Sequence, residues 1–145
     1  MTHLKVGDKA PDFIAKSTKG DIALSNFKGK KVILYFYVKD QTPGCTMQSI
    51  DLQQGLDRLN NVNAIVIGIS VDTLDSHYKF AKKHNLDFPL ISDEDGSISR
   101  LYGVLNENNR SRRVTFVIDE NGIIKHIFTK VNVKDHTNEI LQVIE

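Results

Sequence analysis

The chain has 145 residues, which is the length of one globular domain with its own hydrophobic core. Its 40% hydrophobic and 26% charged residues are typical of a protein that folds in water, and 19 basic against 18 acidic residues leave a net charge of +1. Such a balance provides no overall field to attract nucleic acid or an anionic membrane. The start of the chain has no signal-peptide pattern, and no apolar run is long enough to span a bilayer. With a single cysteine as well, we expect one cytoplasmic domain, residues 1–145.

The first part of the chain predicts a β-hairpin followed by a buried strand. Residues Phe13–Ala15 and Ile22–Leu24 are expected to pair around a turn near Lys19 and Gly20. After a polar corner, Lys31–Val38 is an apolar run rich in β-branched and aromatic residues, which is typical of a buried strand.

A short loop and a helix follow this strand, and the only cysteine lies where the helix begins. Asp40 and Gln41 break the apolar run. Thr42 suits the N-cap, and Pro43 suits the first helical position because its missing N–H would have had no partner there. Cys45 is therefore predicted in the first helical turn, where free N–H groups and the helix dipole favour an anion.

The predicted helix continues for several turns beyond Cys45 and is amphipathic. Gly55 falls in its middle, at a cost of about 1 kcal/mol relative to alanine. The sequence offers no reason for this glycine. The apolar stripe on the cysteine side of the helix comprises Ser49, Leu52, Leu56 and Leu59.

The remaining chain alternates between apolar strands and amphipathic helices. Asp72 or Thr73 is expected to cap one helix and Asp135 the last. The predicted elements are a strand at Asn63–Val71, a helix in which Leu74, Tyr78 and Ala81 share a face, a short strand at Phe88–Ile91, a turn at 92–96, a helical segment at Ser97–Tyr102, a polar loop at 106–112, a hairpin of Val114–Ile118 and Ile123–Phe128, and a helix burying Ile140, Leu141 and Ile144. This order predicts an α/β sandwich around a mixed sheet.

A cysteine at a helix start has two interpretations. A lone cysteine is commonly a small buried hydrophobic residue. A thiolate, by contrast, is a nucleophile, but an ordinary thiol with a pKa of about 8.5 is only a few per cent ionised at pH 7. Making it mostly ionised requires roughly 3.4 kcal/mol of differential stabilisation. A helix N-terminus supplies about 0.3–1 kcal/mol, or ~2 when partly buried, so a reactive Cys45 needs a nearby cation.

Several motifs resemble those of peroxiredoxins. The residues Thr42-Pro43-Gly44-Cys45-Thr46, after a Tyr-Phe-Tyr strand, resemble the peroxidatic site, and the closest likeness is to the Q branch, or bacterioferritin-comigratory type. Further similar segments occur in the family's order at Gly7–Phe13, Ser92–Gly96 and Arg113–Asp119. The resemblance implies a thioredoxin-like three-layer sandwich with a mixed central sheet, helices on both faces and an N-terminal β-hairpin extension.

The resemblance also implies a role for each site residue. Cys45 would attack a peroxide and become sulfenic acid. Arg113 would lie beside its sulfur, and Thr42 would hydrogen-bond the peroxide. Pro43 would shield the site, while Gly44 would let backbone N–H groups approach the substrate. No metal, flavin or haem is implied.

Each of these residues also has a simpler interpretation. Thr42 and Pro43 could act only as helix caps, and Arg113 could be a solvated loop charge like Arg110 and Arg112.

The basic loop is too short to indicate a nucleic-acid surface. Histidines form no metal-ligand motif, and His77 and His84 are expected at the surface.

Two positions depart from the family pattern. Val38 stands where a proline usually ends the strand, and Ile50 stands where many Q-branch members carry a resolving cysteine. The other usual position for that cysteine, within Asp75–Phe80, has none. The sequence therefore resembles a one-cysteine peroxiredoxin with no resolving cysteine.

The expected function is reduction of hydrogen peroxide and alkyl hydroperoxides. Electrons would come from an external thiol, either a thioredoxin-type protein or a low-molecular-weight thiol, and the chain is expected to be a monomer or a weak homodimer. The alternative is a non-catalytic redox sensor or binding protein on the same fold, in which oxidation of Cys45 changes a contact with a partner.

Overall fold

The computed structural model describes residues 2–144, and its centre is a seven-stranded mixed sheet. The strand order across the sheet is β2-β1-β5-β4-β3-β6-β7. The three central strands β5, β4 and β3 run parallel, whereas the remaining pairs are antiparallel. The strands are β1 (Ile14–Ser17), β2 (Gly20–Ala23), β3 (Lys31–Phe36), β4 (Ala64–Ser70), β5 (Leu90–Ser92), β6 (Val114–Ile118) and β7 (Ile124–Phe128).

Helices cover both faces of the sheet and close two hydrophobic cores. They are α1 (Pro43–Gln54), α2 (Leu56–Asn61), α3 (Leu74–His84), α4 (Ser97–Leu101) and α5 (His136–Ile144). Helices α1, α2, α3 and α5 pack on one face around what we call the cysteine-side core, which contains Cys45, Leu52, Leu59, Phe80 and Ile140. On the other face, α4 and the short 3-10 helix Leu24–Phe27 close the far-side core, which contains Leu24, Ile98 and Phe116. Among residues 2–144, no helix has the length and apolar character needed to cross a membrane.

The predicted order of elements is confirmed, including the N-terminal hairpin, but the strand before the cysteine is shorter than expected. It ends at Phe36 instead of Val38, because Phe36 is the last residue that pairs with both β4 and β6. The Tyr37 N–H still donates to the Ile69 carbonyl at 2.9 Å. The chain then leaves the sheet and passes directly into the loop before α1.

The long helix predicted after Cys45 is in fact two helices, and Gly55 lies between them. A Cβ atom at position 55 would overlap the side chain of Thr137 at the start of α5, with Cγ2 of Thr137 as its nearest atom. The glycine therefore permits a close helix–helix approach. At the same contact, the Thr137 N–H donates to the side-chain carboxylate of Asp51 in α1 at 2.7 Å. The Thr137 hydroxyl donates to the main-chain oxygen of Asp51 at 2.9 Å.

One helix prediction needs correction. The face that Leu74, Tyr78 and Ala81 share is not the one that α3 buries: its fully buried residues are His77 and Phe80, and Tyr78 is 49% exposed. Thr73 caps this helix by accepting from the Ser76 N–H.

Asp135 directly precedes α5, and its main-chain oxygen accepts from the Glu139 N–H at 3.2 Å. Its side chain accepts from the side chain of Asn138, whereas the N–H of Thr137 donates to Asp51 of α1.

We predict that Gly55→Ala destabilises the fold, although alanine normally favours helix over glycine. The added methyl group would overlap the side chain of Thr137, and overpacking of this kind costs about 1–3 kcal/mol. Urea unfolding monitored by circular dichroism measures the loss. The substitution should cost less in a Thr137→Ser background, which lacks the nearest methyl carbon but keeps a hydroxyl. Unchanged or increased stability in Gly55→Ala alone would contradict this explanation.

Candidate active site

Cys45 and Arg113 meet beyond the ends of two neighbouring strands of the sheet. The last residue of β3, Phe36, pairs with the first residue of β6, Val114, because the two strands are antiparallel. The loop after β3 leads to Cys45 in the first turn of α1, and Arg113 directly precedes β6. The Nη2 of Arg113 donates a hydrogen bond to the Cys45 sulfur at 3.1 Å. The cysteine side chain is completely buried.

The alternation of side chains along β6 explains why this arginine, and not its neighbour, reaches the sulfur. Residues 113, 115 and 117 share one direction because side chains in a strand alternate between faces. Thr115 and Val117 are buried, and Val117 belongs to the cysteine-side core. Arg112 points away and is exposed. The cation that the sequence analysis required beside Cys45 is therefore present.

Gly44 makes room for the arginine. A Cβ atom at position 44 would lie 2.9 Å from Nη2 of Arg113, closer than such contacts normally allow. The sequence analysis assigned Gly44 to the approach of backbone N–H groups to a substrate, whereas the structure gives it a contact with the guanidinium. Pro43, the first residue of α1, is exposed at the surface of the site.

Thr42 occupies the predicted N-cap position, but its hydroxyl makes no capping hydrogen bond to the helix. It donates instead to the carbonyl oxygen of Lys39 at 2.8 Å. A hydroxyl has one proton, so it can serve this carbonyl or the sulfur, but not both at once. Rotation of the O–H bond would move the donor from one acceptor to the other.

The environment lowers the pKa of Cys45. Burial raises the pKa of the thiol, since it disfavours the charged form. The Thr42 hydroxyl, when it turns from the Lys39 carbonyl to the sulfur, favours the thiolate and lowers the pKa. The Lys39 main chain, the Arg113 guanidinium and the Val38 main chain act in the same direction, and together these groups outweigh burial. The sulfur is consequently more acidic than an ordinary thiol, as a nucleophilic cysteine must be.

Sequence analysis missed several contributors to this site. The main-chain groups of Val38 and Lys39 carry no side-chain signal, so only the folded loop reveals them. Among residues 2–144, Nε of Arg113 has no hydrogen-bond partner, and neither do the amide oxygen and nitrogen of the buried Gln48 side chain on α1.

A second polar cluster lies behind the loop before α1. It contains His77, which was expected at the surface but is completely buried, whereas His84 is half-buried. Asp40, Asp72 and His77 lie close enough to hold a metal ion together. However, Nδ1 of His77 is 2.7 Å from Oδ2 of Asp40, which is a direct hydrogen bond, and Nε2 of His77 lies 2.9 Å from the Ile91 carbonyl, so hydrogen bonds between protein groups account for this cluster.

Comparison with known proteins identifies the family. Residues 6–127 match the AhpC/TSA family model. The chain is 38% identical over 150 residues to the peroxiredoxin Bcp of Bacillus subtilis, covering 98% of this chain and 96% of the relative. It is 36% identical over 149 residues to the peroxiredoxin Bcp of Escherichia coli, covering 97% and 96%.

Solved structures agree with this result. A cysteine-to-serine mutant of PrxQ from Xylella fastidiosa superimposes with a TM-score of 0.91 at 28% identity, covering 98% of this chain and 96% of the other. The bacterioferritin comigratory protein of Xanthomonas campestris, studied for its alkyl peroxide reduction activity, superimposes with a TM-score of 0.87 at 28% identity, covering 99% and 97%. The thioredoxin-like three-layer fold expected from the sequence is thus confirmed.

We predict that Arg113→Gln raises the pKa of Cys45 and slows its reaction with peroxide. A hydrogen bond to a charged group contributes about 1.5–3 kcal/mol, so the loss should be roughly 10- to 100-fold in rate. The same replacement at Arg110 or Arg112 keeps the change in net charge but leaves the sulfur contact intact, and it should have little effect. Thiolate absorbance against pH and stopped-flow peroxide reaction give the two readouts. Equal effects at all three positions would mean that only a diffuse positive field acts on the sulfur.

Proposed function

The chain belongs to the AhpC/TSA family and is a Bcp-type, thiol-dependent peroxidase, and we propose that Cys45 is the residue that attacks the peroxide. Its proposed substrates are hydrogen peroxide and alkyl hydroperoxides. The observation that carries the assignment is the 3.1 Å contact of the Arg113 guanidinium with a buried, acidified sulfur. Such a contact is unnecessary for a cysteine that only fills space in a core.

In the proposed reaction, the Cys45 thiolate donates an electron pair to one peroxide oxygen. A sulfur–oxygen bond forms and the oxygen–oxygen bond breaks, so the sulfur loses two electrons and becomes sulfenic acid, while the peroxide gains those two electrons and is reduced. The other oxygen leaves as hydroxide or alkoxide and takes up a proton to become water or alcohol. Donors already in place stabilise this developing charge without reorganisation.

Arg113 and Thr42 are the proposed donors to the reacting atoms. The guanidinium cannot lose its proton, and its fork offers further N–H groups beyond the one on the sulfur, including Nε, which has no hydrogen-bond partner within residues 2–144. The Thr42 hydroxyl, now on the Lys39 carbonyl, can turn toward a bound peroxide. Pro43 and Gly44 are proposed to shape the substrate site, Pro43 as an apolar cover and Gly44 by holding space for the guanidinium.

The single cysteine determines how the proposed cycle ends. No second thiol in this chain can close an internal disulfide with oxidised Cys45. An external thiol must therefore displace water from the sulfenic acid to form a mixed disulfide, and a second thiol must release Cys45 by forming its own disulfide. We propose a thioredoxin-type protein or a low-molecular-weight thiol as this reductant.

We further propose that the chain acts as a single cytoplasmic domain, as a monomer or weak homodimer.

The test of the assignment is the pH dependence of peroxide consumption. We predict a rate that falls as pH decreases through the lowered pKa of Cys45, with a midpoint below that of an ordinary thiol, about 8.5. The same ionisation adds to folding stability above the unfolded-state pKa, and this contribution is lost as pH falls through the native pKa. Cys45→Ser should abolish consumption at every pH.

Turnover distinguishes the peroxidase from a redox sensor. With dithiothreitol in excess, each chain should consume many molecules of peroxide, whereas a sensor would consume one. A midpoint at or above the ordinary thiol value, or activity that survives in Cys45→Ser, would refute the assignment of Cys45.

A further inference from the structure

The buried cluster behind the loop before α1 is a closed hydrogen-bond network centred on Asp40. One carboxylate oxygen accepts from the Tyr37 hydroxyl at 2.6 Å. The other accepts from the Ser76 hydroxyl at 2.8 Å and lies 2.7 Å from Nδ1 of His77. The carboxylate and the imidazole are both completely buried. A carboxylate so far from water is tolerated only because every one of these partners is in place.

The other contacts of His77 fix the position of its protons. Its Nε2 lies 2.9 Å from the main-chain oxygen of Ile91 in β5. A carbonyl can only accept, so Nε2 must donate to it. The remaining nitrogen, Nδ1, therefore shares a single proton with Asp40, either as imidazolium and carboxylate or as neutral imidazole and carboxylic acid. In both forms the pair connects the loop to α3 and, through β5, to the sheet.

The main chain of Asp40 is held as well. Its N–H donates to Oδ2 of Asp72 at 2.9 Å, and the Ser70 hydroxyl donates to the same oxygen. Segment 37–40 is thus fixed at both ends, by Tyr37 on the Ile69 carbonyl and by Asp40 on these groups. Directly after it, Gln41 adopts a positive φ of 67°, which is unfavourable for a residue other than glycine.

The segment that this network fixes leads into the start of α1, where Cys45 lies. Its Lys39 carbonyl accepts from the hydroxyl of Thr42 at 2.8 Å, three residues before Cys45 in the chain. The main chain of Val38 and Lys39 is also among the causes that lower the pKa of Cys45. We propose that Asp40 and His77 are positioning residues for the peroxidase reaction: their buried pair holds segment 37–40, and through the Lys39 carbonyl the Thr42 hydroxyl, in place beside Cys45. This proposal rests on the assignment of Cys45 as the reacting residue. Asp40 and His77 act through this segment, since the hydrogen bonds of their side chains go to Tyr37, Ser76, the Ile91 carbonyl and each other.

Two replacements of His77 separate its two hydrogen bonds. The amide nitrogen of asparagine occupies the place of Nδ1, so His77→Asn keeps a donor toward Asp40 and loses the Ile91 contact. The longer glutamine places its amide nitrogen near the position of Nε2, so His77→Gln keeps the Ile91 contact and loses the donor toward Asp40. Both variants should be less stable than the wild type, since each loses one buried hydrogen bond.

The two variants should nevertheless differ at the sulfur. His77→Gln should raise the pKa of Cys45 and slow peroxide attack by roughly 3- to 10-fold, the value of about one hydrogen bond. His77→Asn should stay within about 2-fold of the wild type. Leu24→Ala, in the far-side core, serves as a control that lowers the melting temperature without changing the pKa. Thiolate absorbance against pH and stopped-flow oxidation supply the readouts on full-length protein.

Three results would overturn the proposal. The first is a fall in melting temperature in both His77 variants with no change in the pKa or rate of Cys45, which is the result expected of a purely structural pair. The second is an equal effect of asparagine and glutamine, and the third is an equal pKa shift in Leu24→Ala. The absorbance titration needs no peroxide, so it tests the positioning role even if Cys45 did not react with peroxide.

Discussion

The site depends on one balance, between the burial of the Cys45 sulfur and the donors aimed at it. Burial alone would keep the thiol protonated and inert. A helix start supplies ~2 kcal/mol at most, whereas a hydrogen bond from a charged donor adds about 1.5–3 kcal/mol, so the helix start needs the Arg113 guanidinium beside the sulfur. The Thr42 hydroxyl and the loop main chain lower the pKa further. Because the same burial removes competing water, each donor acts more strongly on charge that develops during peroxide cleavage.

The fold supplies this balance by fixing both sides of the reactive turn. Before Cys45, Asp40 is bound to α3 by His77 and Ser76. After it, Asp51 binds Thr137 of α5, where Gly55 permits the start of α5 to approach the end of α1 closely. The residues between these two carboxylates carry the cysteine, the threonine hydroxyl and the space for the guanidinium. A rigid frame around a short functional segment is the arrangement expected where donors must be in place before the reaction.

The sequence predicted the parts of the site that depend on local rules. Thr42, Pro43 and Cys45 follow from the preferences of helix starts, and the order of strands and helices follows from apolar periodicity. Arg113 was identified by resemblance, because a loop arginine has no local signal for a contact 68 residues away in the chain. Burial of His77 and the break at Gly55 were missed for the same reason: both depend on partners in other elements, which periodicity within one helix does not reveal.

The most direct test measures the rate constants for the reaction of Cys45 with two reagents, hydrogen peroxide and iodoacetamide. Each rate constant is corrected for the fraction of Cys45 present as thiolate. It is then divided by the corresponding rate constant of free cysteine, which gives one ratio for each reagent. If donors stabilise the charge that develops on peroxide oxygen, the ratio for peroxide should exceed that for iodoacetamide by about 100-fold or more, because alkylation places no charge on oxygen. Equal ratios would contradict the account, since they would mean that the site only lowers the pKa of the thiol and contributes nothing specific to breaking the oxygen–oxygen bond.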